Sequence, residues 1–234
     1  MAIRPLFVAQ SEGPALVRSK PIAFVWHSGM AEVQRKKSVE ALHAAARSAY
    51  PGLRLMEVSR FAQTEIGVAL SAFNLTFVTR TRGREISVEC AFQGSKVFAA
   101  GGPFTDLFDQ TSLEAKRDPR LTSSGHLTGF RFFGMDWPIE PQTAFYDWLY
   151  LNALRNRATL SSAVIAYDAF TDIAFNPDKS INCQAGAVAL FVALSRRGIL
   201  EQTLSTPESY LATLRNFATS NARQDDLVQG RLPI

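Results

Sequence analysis

Residues 87–98 of the chain read SVECAFQGSKVF. Ser87 stands where a helix N-cap would, with a hydroxyl that can accept a backbone N–H of the first turn. On a helix over 88–98, Val88, Ala91, Phe92 and Ser95 fall at i, i+3, i+4 and i+7, and Glu89, Gln93 and Lys96 at i, i+4 and i+7. An apolar stripe therefore runs beside a polar one that carries an acid, an amide and an amine. The polar stripe has two readings. It is a solvated face holding a Glu/Lys pair, or it lines a pocket. In a pocket, Glu89 is a partly desolvated carboxylate that can protonate a leaving group or steady an oxocarbenium ion. A rise of about 1.5 Å per residue puts Lys96 roughly 10 Å along the axis from Glu89, so their tips meet only if the lysine reaches back.

Working outward, residues 70–80 (LSAFNLTFVTR) predict a strand leaving a short turn, and TRGRE is a charged turn. Gly101-Gly102 reads as the stop of the helix, with backbone N–H groups for phosphate as the alternative. Pro103 suits the first turn of a short helix, and Ser112 caps another over 113–117. Residues 128–133 (TGFRFF) predict a strand. From residue 141 the chain turns mostly helical, with helices predicted over 141–156, 158–167, 184–197 and 207–218. The third is nearly all apolar (AGAVALFVAL) and closes on Arg196, Arg197 and Gly198. Upstream, 21–26 (PIAFVW) and 53–58 (LRLMEV) predict strands on either side of a helix over 31–49. That helix places Val39, Leu42, Ala46 and Ala49 on one face. Strands first and helices later predict an α+β fold, a small sheet with a mostly helical C-terminal half. The expected division is 1–62 as a strand-helix-strand elaboration, 63–218 as the catalytic domain whose sheet that elaboration shares, and 219–234 as a loose tail.

Composition narrows the chemistry. The chain has 234 residues, 17 of them Phe, and a net charge of +4, which allows transient contact with an anionic ligand without demanding a dedicated nucleic-acid-binding face. The phenylalanines read as core, with one or two rings available for stacking on a base. Cys90 and Cys183 lack C-x-x-C spacing and read as reduced, buried thiols. The first residues lack the apolar run of a signal peptide, and no window is long enough to span a membrane, so a cytoplasmic protein is expected. His27, His43 and His126 have no metal-ligand spacing, so no metal is expected. G-x-x-x-x-G-K-[ST], G-x-G-x-x-G and G-x-S-x-G are all absent, and no cofactor is expected. Acid–base work then falls to carboxylates, lysine or tyrosine. Asp147, Asp168 and Asp172 read as caps or turn formers, with Asp172 the reserve for a second catalytic carboxylate. Arg35-Lys36-Lys37 and Arg80, Arg82, Arg84 read as solvated charge or as contacts to DNA phosphates.

Three elements together resemble the NADAR family of N-glycosidases. Leu70, Ser71 and Phe73 match its L-S-N-F element, with Ala72 at the Asn position and Asn74 following. Ser87, Glu89, Phe92, Gln93 and Lys96 match S-x-E-H-x-F-Q-x-x-K, with Cys90 at the His position. Ala115, Lys116 and Arg120 match A-K-x-x-G-R, with Pro119 at the Gly position. Arg155-Asn156-Arg157 and Leu160 resemble the family's following helix pair, and Asn182 loosely echoes its late Asn. The resemblance covers about residues 65–200. As a whole the chain resembles the NADAR antitoxins encoded beside DarT-family toxins, which attach ADP-ribose to DNA guanosine.

The resemblance implies Glu89 as the essential carboxylate and Lys96 at the distal ribose. Lys116 and Arg120 would neutralise the pyrophosphate, and Ser71, Asn74 and Gln93 would hydrogen-bond ribose or phosphate. Phe73, Asp172 and Asn182 complete the expected substrate-binding set. The implied activity is removal of ADP-ribose from guanosine in single-stranded DNA, opposing a cognate DarT-family toxin. Two alternatives stay open: an N-glycosidase for a riboflavin-pathway intermediate, and a non-catalytic module that binds ADP-ribose or the toxin.

Overall fold

The computed structural model describes residues 1–29, 31–79, 83–178 and 180–219. The chain opens with strands β1 (Ala2–Ala9) and β2 (Ala15–Phe24), helix α1 (Glu32–Ala49), strand β3 (Leu55–Glu57) and helix α2 (Glu65–Ala69). Strands β4 (Thr76–Val78) and β5 (Glu85–Ser87) lead into helix α3 (Val88–Gly94) and strand β6 (Lys96–Phe98). A 3-10 turn over Thr105–Asp109 precedes helices α4 (Ser112–Arg117) and α5 (Arg120–Ser123). Strands β7 (Leu127–Phe132) and β8 (Met135–Trp137) are followed by helices α6 (Ala144–Arg155) and α7 (Ala158–Val164). Strand β9 (Ala169–Thr171), helices α8 (Gln184–Arg196), α9 (Leu200–Thr203) and α10 (Pro207–Asn216), and strand β10 (Ala218–Thr219) complete an α+β fold. Two compact units emerge: Met1–Leu70 with the segment from Thr159 onward, and Ser71–Ala158. This is a different partition from 1–62, 63–218 and 219–234.

The first unit holds a sheet ordered β10-β2-β1-β9-β3. Strands β1 and β2 form an antiparallel hairpin in which Pro5 stands opposite Pro21. Neither proline can donate a ladder hydrogen bond. Both are tolerated because β9 reaches only Phe7 and Val8 of β1, and β10 only Ala15 and Val17 of β2. The prolines hid β1 from the sequence reading and made β2 look like a strand beginning at residue 21. Strand β9 was also missed. Its three buried residues, AFT, are too few to show a period, yet they pair antiparallel with β1 and parallel with β3. Helix α8 packs on β1, β2 and β9 and is buried from Gln184 to Leu194 except at Gly186, which lies against the Phe7 ring. Each fully buried Val or Leu contributes roughly 1.5–3 kcal/mol relative to exposure. Gly198, at φ 70°, ends the helix as its sequence indicated, and Arg197 donates to the carbonyls of Gln10, Glu12, Gly13 and Ala15. Helix α1 buries Val39, Leu42, His43 and Ala46, while Ala49 is exposed at its last position, contrary to expectation. Helix α10 stops at Asn216, and Thr219, expected in the tail, belongs to β10. The remainder of the expected tail, 220–234, lies outside the described residues, as do Arg80 and Arg82.

The second unit pairs a β4–β5 hairpin with a β6-β7-β8 antiparallel sheet. The strand expected over 70–80 shrinks to β4, because residues 71–74 form a turn in which the Ser71 carbonyl accepts the N–H groups of Asn74 and Leu75. Strand β8 was missed. It follows β7 through a two-residue turn, Phe133-Gly134, in which both residues have positive φ (46° and 83°), the geometry that matches strand twist. The phenylalanine count resolves here into a packed core: Phe92, Phe130, Phe132, Phe145 and Trp137 stack edge or face with ring centroids 4.7–6.3 Å apart. Gly94 ends α3 flush against the Phe108 ring, where a Cβ would lie 2.6 Å from it.

Helix α6 carries a partly buried acid, Asp147, whose Oδ2 accepts from Thr143 Oγ1 at 2.7 Å. Burial pushes its pKa up to about 7, against that one hydrogen bond. An acid raised in the folded state binds a proton that the unfolded chain has released. Stability therefore falls as pH rises from the ordinary aspartate range to about 7. The slope from this group approaches about 1.4 kcal/mol per pH unit, the value for one proton. Asp147→Asn should flatten that part of the stability–pH curve in urea titrations at pH 5, 6 and 7. An unchanged slope in the variant would remove Asp147 as its source.

Candidate active site

The site is built on the first turn of α3. Ser87 caps the helix by accepting the Cys90 N–H, as expected, at 3.1 Å. Its hydroxyl also shares a hydrogen bond with Ser112, which donates to the Phe73 carbonyl. The N–H groups of Val88 and Glu89 donate to the carbonyls of Leu75 and Ala72. The turn over 71–75, the start of α3 and the start of α4 are thus tied by short polar contacts. Helix α4 is capped by Thr111 rather than Ser112, because Glu114 closes a capping box with Thr111 and leaves Ser112 for the link to Ser87.

Glu89 is 5% exposed, and both of its hydrogen-bonding and ionic contacts fall on one oxygen. Gln93 Nε2 donates to Oε1 at 2.9 Å, and Lys116 Nζ lies 3.6 Å from the same atom. Oε2 carries neither contact. The Gln93 amide is oriented by this bond, which leaves its buried Oε1 without a donor among the described residues. Lys116 is half exposed, and its ammonium sits 5.2 Å from the centre of the Phe73 ring.

Lys96 reaches the same place by a route the helical reading did not contain. Helix α3 ends at Gly94, where Ser95 Oγ turns back to the Ala91 carbonyl, and Lys96 begins strand β6. The Gly101-Gly102 pair is not a helix stop. It closes a tight reversal after β6, with Gly102 at φ 91° and so near the Lys96 carbonyl that a Cβ would lie 2.3 Å from it. Lys96 Nζ rests 4.7 Å from the centre of the Phe92 ring. Burial lowers its pKa to about 8, the Glu89 charge raises it, and the Lys116 charge lowers it further. One acid, one oriented amide, two amines and an aromatic face therefore converge.

The other expected residues fall differently. Ser71 is buried, and Asn74 is exposed. Pro119 sets the start of α5, and Arg120 there is engaged by two carboxylates: it bonds Asp118 through Nε and Nη2 and Asp106 through both Nη groups. Its guanidinium also stacks 4.5 Å over Phe104. A pyrophosphate would have to displace an aspartate to claim it. Cys90, at the family's His position, donates to the Gln110 carbonyl. Asp172 and Asn182 belong to the other unit. Asp172 Oδ1 accepts the N–H groups of Ala174 and Phe175, and the Asn182 carbonyl accepts from Ser180.

The sequence reading overlooked a buried polar knot in that first unit. Glu57 accepts from Ser59 Oγ and Thr171 Oγ1, each at 2.6 Å, and from the Ile173 N–H at 2.8 Å. Thr171 Oγ1 is 2.8 Å from His43 Nε2. Burial and the nearby Asp172 charge push Glu57 well above the usual carboxylate range, while burial and Arg47 lower His43 to about 4. The available signal was an acid inside an apolar strand, LRLMEV. The knot joins β3 to β9.

Among the described residues no helix is long and apolar enough to cross a membrane. Among curated proteins, none matches the chain. A family model described as DarT1-associated NADAR antitoxin matches residues 2–224, so the match takes in the first 60 residues that the sequence motifs did not reach. With that match over nearly its full length, and with the Ser87–Lys96 motif folded around Glu89, the chain belongs to the DarT1-associated NADAR antitoxin family.

Proposed function

We propose that this antitoxin is an N-glycosidase that removes ADP-ribose from guanosine in single-stranded DNA and so reverses the modification made by a cognate DarT-family toxin. The observation that carries the reading is the buried Glu89 carboxylate with Oε1 held by Gln93 and Lys116 and Oε2 free of both. Cleavage of the ribose–base bond sends its electron pair to the base nitrogen, which takes a proton, while positive charge builds on the ribose and water adds at C1. Glu89 is arranged as an acceptor, so it steadies that charge through Oε2. Gln93 Oε1 is an acceptor that lacks a donor among the described residues, which suits a ribose hydroxyl and excludes a phosphate oxygen as its partner. Lys116, half exposed, meets the pyrophosphate as a point charge. Phe73 lies beneath it.

Initial rates on an ADP-ribosylated guanosine oligonucleotide, a thymidine-linked one and a riboflavin-pathway intermediate, read by mass spectrometry, test the proposal. The guanosine oligonucleotide should be fastest, and its rate at low substrate should fall between low and physiological salt with a slope of roughly 0.7 per phosphate contact. Faster turnover of the riboflavin intermediate would replace the DNA reading with a metabolic one. Binding of ADP-ribose without turnover of any substrate would make the protein a reader.

A further inference from the structure

Among the described residues, several guanidinium groups are held by oxygen acceptors: Arg120 and Arg131 by aspartates, Arg157 by Glu85 and Thr76, Arg197 by four carbonyls. Arg4 and Arg35 are held chiefly by a ring. Arg4 on β1 and Arg35 on α1 lie 5.3 and 4.9 Å from the centre of the Trp26 ring, which is only partly buried. Arg35 is also 6.0 Å from Phe61, and Arg60 is 4.8 Å from the same ring. Cation and ring thus alternate through Arg4, Trp26, Arg35, Phe61 and Arg60, all within the first unit.

Among the described residues, neither Arg4 nor Arg35 makes an ion pair. Arg4 Nη1 donates to the adjacent Ile3 carbonyl, and its Nε is buried without an acceptor. Arg4 feels the charges of Asp172 and Asp178 at longer range and the like charge of Arg35. An arginine fixed by a carboxylate has its donors engaged. One fixed by a ring face is equally immobile yet keeps most of those donors for an incoming anion. Planar guanidinium and aromatic faces at this spacing also offer stacking surface to unpaired bases.

We infer that the Arg4–Trp26–Arg35–Phe61–Arg60 ladder is a docking surface for single-stranded nucleic acid, separate from the Glu89 centre in its residues and its task. The choice of partner rests on the DNA-substrate reading, but the ladder needs no ADP-ribose and acts on the unmodified strand. Arg4 and Arg35 meet phosphates, and the ladder's flat faces meet bases.

The test is fluorescence anisotropy with a labelled, unmodified guanosine-containing single strand, alongside turnover of an ADP-ribosylated mononucleoside. Wild type should bind the plain strand at low salt. Arg35→Ala and Trp26→Ala should each weaken it about tenfold, as loss of one stacked contact does. Arg35→Ala should also reduce the salt slope by about 0.7. Turnover of the mononucleoside should not change. Arg35→Glu, a change at a partly buried position on α1, carries the test if Trp26→Ala fails to fold. Arg35→Lys should restore the salt slope but not the full affinity. Failure of wild type to bind the plain strand, or variants that bind it as wild type does, overturns the inference and leaves the glycosidase reading standing. Tighter binding of a duplex than of the single strand also overturns it. Loss of strand binding in the variants of a protein that turns over nothing supports the ladder and removes the glycosidase.

Discussion

Replacing Glu89 by glutamine should lower turnover of ADP-ribosylated guanosine by about 10²–10⁴-fold, the range that loss of one preorganised catalytic charge or one positioned acid or base spans. Glutamine keeps an oxygen to accept from Gln93 Nε2, so the hydrogen bond across one turn of α3 survives. The pair lost is Lys116, half exposed and 3.6 Å away, which adds little to stability. The melting temperature and ADP-ribose affinity should therefore stay close to wild type while the rate collapses. Single-turnover rates and a thermal melt on the same preparation decide it. A variant within about threefold of the wild-type rate would exclude Glu89 from the chemistry.

The second large effect is expected at Lys96. With its pKa lowered to about 8, a useful fraction of the amine is neutral near neutral pH. A neutral amine can bond to C1 as the bond to the base nitrogen breaks and the base leaves with the electron pair and a proton; the ribose ring then opens to an imine, and water adding at C1 returns the amine. If this step limits turnover, the rate rises with pH and levels off above about 8. The neighbours sharpen the test. Because the Glu89 charge raises the lysine pKa and Lys116 lowers it, Glu89→Gln should move the inflection down in pH and Lys116→Ala should move it up. Borohydride added during turnover should leave an ADP-ribose mass on the peptide that contains Lys96. Lys96→Arg, which keeps the charge but cannot form the imine, should lose activity by at least about 100-fold. An active Lys96→Arg enzyme with no trapped adduct would reduce Lys96 to an electrostatic contact.

Much of this was legible before any coordinates. The Ser87 cap, the position of Glu89 and Gln93 one turn apart, the apolar run of α8 and its Gly198 stop all depend on neighbours a few residues away. Local geometry repeats, so a period or a cap can be read directly from the letters. Glu89 and Lys96 were expected on one continuous helical face, roughly 10 Å apart along its axis, with the lysine having to reach back. What brings the Lys96 amine within reach of the Glu89 charge is instead the end of α3 at Gly94, set against Phe108, and the reversal through Gly102 against the Lys96 backbone.

Arg120 shows the opposite case. Its motif position suggested an anion-binding arginine, but Asp106, fourteen residues earlier, folds back to take it along with Asp118. Nothing periodic links those positions. Strands β1, β8 and β9 stayed hidden for a related reason: a strand of three residues, or one broken by a proline, has no pattern of its own and exists because partners elsewhere in the chain satisfy its backbone. The sequence by itself determined which family motifs the chain carries and that one helix holds both Glu89 and Gln93. Only the tertiary structure decided which charges meet, because contacts between segments distant in sequence depend on packing, and packing leaves no period in the letters.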